Sequence, residues 1–136
     1  MPNIQRYFGH LAPTLQSLAL REPKGSCRQI LYFVGLFPKL RDFELLDYDE
    51  ASEDNVADTF TPLTQPPLDG WLVLGDYKGE KLVGEMATLF HDGPKLRFRC
   101  VNLKNVQYTR GVLNRCVDSL ETLQLCIDDY GENLFR

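Results

Sequence analysis

Six acidic residues in one stretch are the first candidates for chemistry in this sequence. They are Asp47, Asp49, Glu50, Glu53, Asp54 and Asp58. Carboxylates are calcium ligands, but a calcium loop of the EF-hand type needs a glycine at its sixth position and a glutamate at its twelfth. Counting from Asp47, those positions hold Ser52 and Asp58. The stretch therefore predicts an acidic, solvated loop over 47–67 and no metal site.

Residues suited to nucleophilic or acid–base catalysis are scattered. His10 and His91 fall in different units of the chain, and neither stands in a nucleophile motif beside a serine or cysteine. The segment GDYKGEK at 75–81 lacks the second half of a phosphate-binding loop. No C-x-x-C pair occurs among the four cysteines, Cys27, Cys100, Cys116 and Cys126. We therefore predict no catalytic residue, no metal and no cofactor, and the chain is not expected to be an enzyme.

Composition predicts one globular domain over residues 1–136. The chain is 43% hydrophobic and 25% charged, with a net charge of −4. Mild acidity without a basic cluster argues against general nucleic-acid binding, which needs a positive surface to displace counterions. The opening MPNIQRYFGHLAPTLQ has no apolar core of a secretory signal, and no apolar run is long enough to cross a bilayer. We expect no membrane contact and a cytoplasmic or nuclear location.

A spacing of leucines, L-x-x-L-x-L, recurs through the chain and indicates which elements position its other residues. Five copies are found when Phe, Trp and Val are accepted as replacements: Leu15-Leu18-Leu20, Leu40-Phe43-Leu45, Leu68-Trp71-Val73, Phe98-Val101-Leu103 and Leu120-Leu123-Leu125. Their first positions lie 22 to 30 residues apart, a spacing typical of leucine-rich repeats. A proline shortly before most copies stops any preceding helix and favours an extended entry to a strand.

Helical periodicity fills most of the segments around these copies. Ranges 27–37, 80–90 and 109–120 each carry an apolar helical stripe, 4–11 reads as the helix of a preceding repeat, and one helical turn is possible near 56–60. This alternation of predicted strands and helices predicts an α/β fold. We expect a short leucine-rich-repeat-like solenoid of about five parallel strands in chain order, with helices on one face. An ordinary open α/β domain is the alternative.

Three segments resemble the leucine-rich-repeat portion of F-box-like proteins of mushroom-forming fungi. They are LAPTLQSLAL, FPKLRDFEL and LRFRCVNLKNVQYTRGVLNRCVDSLETLQLCIDD. The resemblance implies a degenerate solenoid that acts as a substrate receptor in ubiquitin ligases. The N-terminal F-box of that family has no counterpart here, which suggests a repeat fragment. The family's Asn or Cys, three residues after the last leucine of a repeat, is also missing; those positions hold Pro23, Tyr48, Asp76, Val106 and Asp128.

The residues between the leucines are expected on the exposed face of the sheet, because side chains alternate along a strand. The surface expected to bind a partner consists of Asp42, Glu44, Leu46, Leu72, Leu74, Asn102, Lys104 and Gln124. Leu46, Leu72 and Leu74 would form an apolar patch between acidic and basic flanks. Cover by the acidic segment or by the C-terminal GENLFR is the alternative interpretation of these leucines.

The sequence favours a non-catalytic protein–protein interaction module whose partner it does not identify. One alternative is a small α/β enzyme with a pocket at the carboxyl ends of the strands. Another is a fragment that associates with itself. The last predicted strand, LETLQLC, is followed only by IDDYGENLFR, so its edge could pair with a second copy in a homodimer.

Overall fold

Five strands and three helices occupy the residues that the computed structural model describes, which are 10, 12–50 and 61–126. The strands are β1 (Ser17–Arg21), β2 (Asp42–Asp49), β3 (Trp71–Lys78), β4 (Cys100–Val106) and β5 (Thr122–Cys126). The helices are α1 (Cys27–Val34), α2 (Lys81–His91) and α3 (Thr109–Cys116). The predicted helix over 4–11, apart from residue 10, and the predicted turn near 56–60 lie outside the described residues.

All five strands form one parallel sheet in the order β1-β2-β3-β4-β5. The predicted α/β fold with five parallel strands in chain order is therefore confirmed. Parallel neighbours require a crossover, and α1, α2 and α3 supply it between β1 and β2, β3 and β4, and β4 and β5. The register places Phe43 opposite Leu72, and Leu72 opposite Val101.

Alternate side chains of the strands point into one hydrophobic cluster that they share with the helices. The inner strands contribute Phe43, Leu45, Leu72, Leu74, Val101 and Leu103. The helices contribute Cys27, Ile30, Leu31, Val34, Leu82, Val83, Met86, Ala87, Phe90, Val112 and Cys116. In the second and fourth copies the leucine spacing in the sequence is thus the spacing of the buried positions, as expected for a strand with one covered side.

The third copy of the leucine pattern has the opposite register from the one predicted. Leu72 and Leu74, not Trp71 and Val73, align with the buried residues of the neighbouring strands. One extra residue separates Leu68 from its strand, so this copy reads L-x-x-x-L-x-L. Leu68 has a φ of 42° and is buried. An insertion at this left-handed position moves every later side chain of β3 to the other face of the sheet.

The acidic loop predicted over 47–67 starts later than expected. β2 continues through Asp49, and Glu50 follows it as an anchored residue. The Glu50 carboxylate accepts the backbone N–H groups of Lys81 at 2.9 Å and Leu82 at 2.9 Å. Glu50 thus satisfies the first turn of α2 from a distant part of the chain, because the helix's own N-cap residue, Glu80, makes no side-chain cap bond.

Two tyrosines lie at matching register positions near the carboxyl ends of β2 and β3. With the observed register, the residues three places after Leu45 and Leu74 are Tyr48 and Tyr77. Their rings lie parallel, with centroids 6.3 Å apart. The Tyr48 hydroxyl donates to the Gly25 carbonyl at 2.9 Å, and the Tyr77 hydroxyl donates to the carboxylate of Glu50. Each tyrosine therefore ties its strand to a neighbouring connection, as a buried hydroxyl must find a partner.

Candidate functional site

The side of the sheet opposite the core carries three rows of side chains, and we call this surface the sheet face. The first row is Ser17, Asp42, Trp71, Cys100 and Thr122. The second row is Ala19, Glu44, Val73, Asn102 and Gln124. The third row is Arg21, Leu46, Gly75, Lys104 and Cys126. None of the three helices of the described chain contributes to these rows.

Six of the eight residues predicted to bind a partner lie on the sheet face. They are Asp42, Glu44, Leu46, Asn102, Lys104 and Gln124. The placement of Leu72 and Leu74 on this face was wrong: both are 0% exposed and belong to the core. The shift in register that follows Leu68 replaces them on the face with Trp71 and Val73.

An apolar strip runs over the middle of the sheet face. Trp71 is 36% exposed, and Val73 and Leu46 are half-buried. The Leu46 side chain leans over Gly75 of the neighbouring strand: a β-carbon added at residue 75 would lie 2.7 Å from Leu46 Cδ2. The glycine thus provides the room into which Leu46 extends. Trp71, Val73 and Leu46 together form a continuous apolar surface, which we call the apolar strip.

Asp42 holds the amino ends of three strands together and fixes the backbone under Trp71. Its Oδ2 accepts the Ser17 hydroxyl at 2.7 Å, and its Oδ1 accepts the Trp71 backbone N–H at 2.9 Å. The carboxylate can approach because residue 70 is glycine; a β-carbon there would collide with Asp42 Oδ1. Both oxygens of Asp42 are therefore engaged within the chain, which makes it a positioning residue for the strip.

Two charged residues beside the strip have no side-chain partner within the described part of the chain. Glu44 lies next to Val73 on the β2 side, and Lys104 lies next to Gly75 on the β4 side. Neither makes a hydrogen bond or ion pair with any other residue that the structure describes. Asn102 is different, because its Nδ2 donates to Gln124 Oε1 at 3.3 Å. The strip is thus bordered by one carboxylate and one ammonium that no other described residue neutralises.

Several titratable groups outside the sheet face have pKa values that burial or a neighbouring charge shifts from their ordinary values. A hydrogen bond from Arg41 at 2.8 Å lowers the pKa of Asp69. Burial, together with the charge of Arg97, lowers the pKa of His91. Both ring nitrogens of His91 are buried with no hydrogen-bond partner among the described residues. Burial also raises the pKa of the Cys116 thiol to about 11, which keeps it protonated and unreactive at neutral pH.

A groove of about 900 Å³ lies at the carboxyl ends of β2, β3 and β4. Acidic side chains of Asp47, Asp49, Asp76 and Glu80 line it together with Lys78 and Arg110. The Thr109 hydroxyl on its wall is held by the Val106 carbonyl at 3.0 Å. No His, Cys or Ser is found among the described residues that line the groove. Its polar walls could hold a polar ligand, and the described part shows no paired nucleophile and base.

Within the described residues, no group of three or more His, Cys, Asp or Glu could hold a metal ion. No helix in the described part has the length and apolar character needed to cross a membrane. The chain matches no protein-family model, no curated protein and no solved structure.

Proposed function

We propose that this chain is a short leucine-rich-repeat-like solenoid that binds a protein partner through its sheet face and performs no reaction of its own. Support for the repeat architecture comes from five parallel strands in chain order, of which β2, β3 and β4 send aligned register positions into a shared core. The resemblance to the repeat portion of fungal F-box-like proteins suggests a role like that of a substrate receptor.

The exposed tryptophan on the middle strand is the observation that carries this proposal. Trp71 stands at the head of the apolar strip and its backbone is held by Asp42. Tryptophan is the residue most often found at the energetic centre of protein interfaces, because its ring buries a large area with few rotatable bonds. Trp71 lies on the side of the sheet that faces away from the core shared with the described helices. The strip therefore fits a protein contact better than it fits a water-facing surface.

Affinity capture tests the proposal when three versions of the chain are compared in one lysate of the source organism. The first is the wild type, the second is Trp71→Ala, and the third is Tyr108→Ala. Tyr108 is a matched control, because it is also an exposed aromatic residue but lies in the groove and not on the sheet face. We expect a protein captured by wild type and Tyr108→Ala to be lost with Trp71→Ala. Loss with Tyr108→Ala alone would move the binding site to the groove.

Self-association through β5 is a second candidate, favoured by the exposure of that edge. Leu123 shares a register position with the buried Phe43, Leu72 and Val101 but is 42% exposed. Val117, which follows α3, is 60% exposed. An antiparallel pairing of two β5 strands centred on Gln124 would set Leu123 opposite Leu125 of the second copy and cover both.

The register of this homodimer gives it a direct test. Gln124 would lie opposite its own copy, so Gln124→Cys should form a disulfide-linked dimer on mild oxidation. Asn102→Cys, on the same face but on an inner strand, is the control and should stay monomeric. A monomeric mass for the wild type at high concentration, with no cross-linking of Gln124→Cys, would exclude this dimer.

A further inference from the structure

The kind of partner that the sheet face accepts follows from what an inner strand can offer. β3 is paired on both sides, to β2 and to β4, so its backbone N–H and C=O groups are already bonded. A segment lying across this face can gain no main-chain hydrogen bonds from it. It must satisfy its own backbone, because unpaired polar groups are costly to bury. An α-helix does so internally, whereas an extended peptide does not.

The borders of the apolar strip define the charges that such a helix would carry. Glu44 and Lys104 stand on opposite sides of β3 and are offset by two residues along the strands. Their α-carbons are separated by two strand spacings across the sheet and by two residues along it, which together amount to about 12 Å. Neither charge is neutralised by another described residue. A ligand that crosses β3 over the strip therefore meets a carboxylate on the β2 side and an ammonium on the β4 side.

We propose, building on the protein-binding function above, that the sheet face binds an amphipathic helix of a partner protein. In that helix a basic and an acidic residue lie seven positions apart. Two apolar residues lie between them, three and four positions after the first charged residue. Seven residues of helix span about 10.5 Å and return to the same side of the helix. The basic residue pairs with Glu44, the acidic residue pairs with Lys104, and the apolar pair covers Val73 and the Leu46 side chain over Gly75, beside Trp71.

Three synthetic helical peptides test this inference, and Trp71 reports on them because it is the chain's one tryptophan. The peptides are alanine-rich, lack tryptophan, and share a leucine pair; their two charged positions hold Arg and Glu, Arg and Arg, or Glu and Glu. We expect the Arg–Glu peptide to bind the wild type about five- to tenfold more tightly than either of the others. Binding should shift Trp71 emission to shorter wavelength.

Charge reversal in the protein should then reverse the preference. Lys104→Glu presents two acids and should favour the Arg–Arg peptide, whereas Glu44→Lys should favour the Glu–Glu peptide, each by a similar factor. Lys39→Glu changes the net charge as Lys104→Glu does, but at an exposed loop residue before β2, and should leave the Arg–Glu preference unchanged. Binding whose preference ignores these substitutions would overturn the inference.

The outcomes separate this inference from the proposed function. If no peptide alters Trp71 emission, but a captured protein still depends on Trp71, the helical ligand is wrong and the sheet face remains a binding surface. If neither peptide binding nor capture depends on Trp71, both the inference and the proposed function are wrong.

Discussion

Leu72 and Val73 are neighbours on β3, and the structure assigns them opposite roles. Leu72 is fully buried between Phe43 and Val101, whereas Val73 lies half-buried on the sheet face. Truncating Leu72 to alanine removes three buried carbons, worth about 2.4 kcal/mol in transfer free energy at ~0.8 kcal/mol each. The cavity left in an inner strand adds to this, so we expect a loss of about 3–4 kcal/mol in the free energy of unfolding.

Val73→Ala removes two carbons from a position that water already reaches, so we expect it to cost below about 1 kcal/mol. Urea unfolding followed by circular dichroism measures both values. With an m-value of about 2 kcal/mol/M, Leu72→Ala should lower the midpoint by roughly 1.5–2 M, and Val73→Ala by less than about 0.5 M. Equal losses, or a larger loss for Val73→Ala, would refute the register of β3 and remove Trp71 from the sheet face.

Three further predictions concern the contacts that hold the sheet face and the core in place. Gly70→Ala adds a β-carbon that displaces the Asp42 carboxylate. It should therefore destabilise the wild-type protein by about 1 kcal/mol more than it destabilises the Asp42→Ala variant, as measured in a double-mutant cycle. Strict additivity of the two substitutions would contradict the contact. Glu50→Ala should cost about 1–3 kcal/mol by uncapping α2, whereas Glu80→Ala should cost a few tenths, and thermal unfolding compares them. Folding lowers the pKa of His91, so the unfolded chain binds more protons than the folded one as the pH falls. The contribution of neutral His91 to the free energy of unfolding is therefore present above about pH 6.5 and is lost below it. His91→Gln should therefore show a shallower loss of stability between about pH 8 and pH 5, and an unchanged slope would show that His91 does not contribute.

The arrangement of the strands could be predicted because it depends on a repeated local pattern. Most copies of the leucine spacing need only their own alternation to bury the right side chains, and helical stripes in three of the four gaps favour parallel neighbours. Helix ends were less predictable: α1 ends at Val34, although the apolar stripe continues to Phe37. Phe37 is still buried, so the pattern identified the core correctly while missing the end of the helix.

The face of β3 could not be read from periodicity, because DGWLVLGDY is apolar on both sides of the strand. Counted from Leu68, Trp71 and Val73 fit the leucine spacing, whereas Leu72 and Leu74 require one extra residue. A second signal was present in the sequence: L-x-D-Y occurs at 45–48 and again at 74–77. Aligning those two segments places Leu74 beside Leu45 and Tyr77 beside Tyr48, which is the observed register.

The roles of Asp42 and Glu50 depend on contacts between distant parts of the chain. Asp42 was predicted to bind a partner, and only the positions of Ser17 and the Trp71 backbone reveal that both of its oxygens are occupied. Glu50 looked like one more acid in a solvated loop, but it caps a helix that begins about thirty residues later. No local pattern predicts such contacts, since they follow from how the crossovers pack.

Quenching of Trp71 fluorescence by acrylamide, with and without the captured partner, tests the central claim most directly. A difference measurement against Trp71→Phe removes any signal from the partner's own tryptophans. If the sheet face is the binding surface, complex formation should shift Trp71 emission to shorter wavelength and reduce its quenching constant severalfold, because the ring becomes buried. A complex that forms while Trp71 stays as accessible to acrylamide as in the free chain would contradict the account.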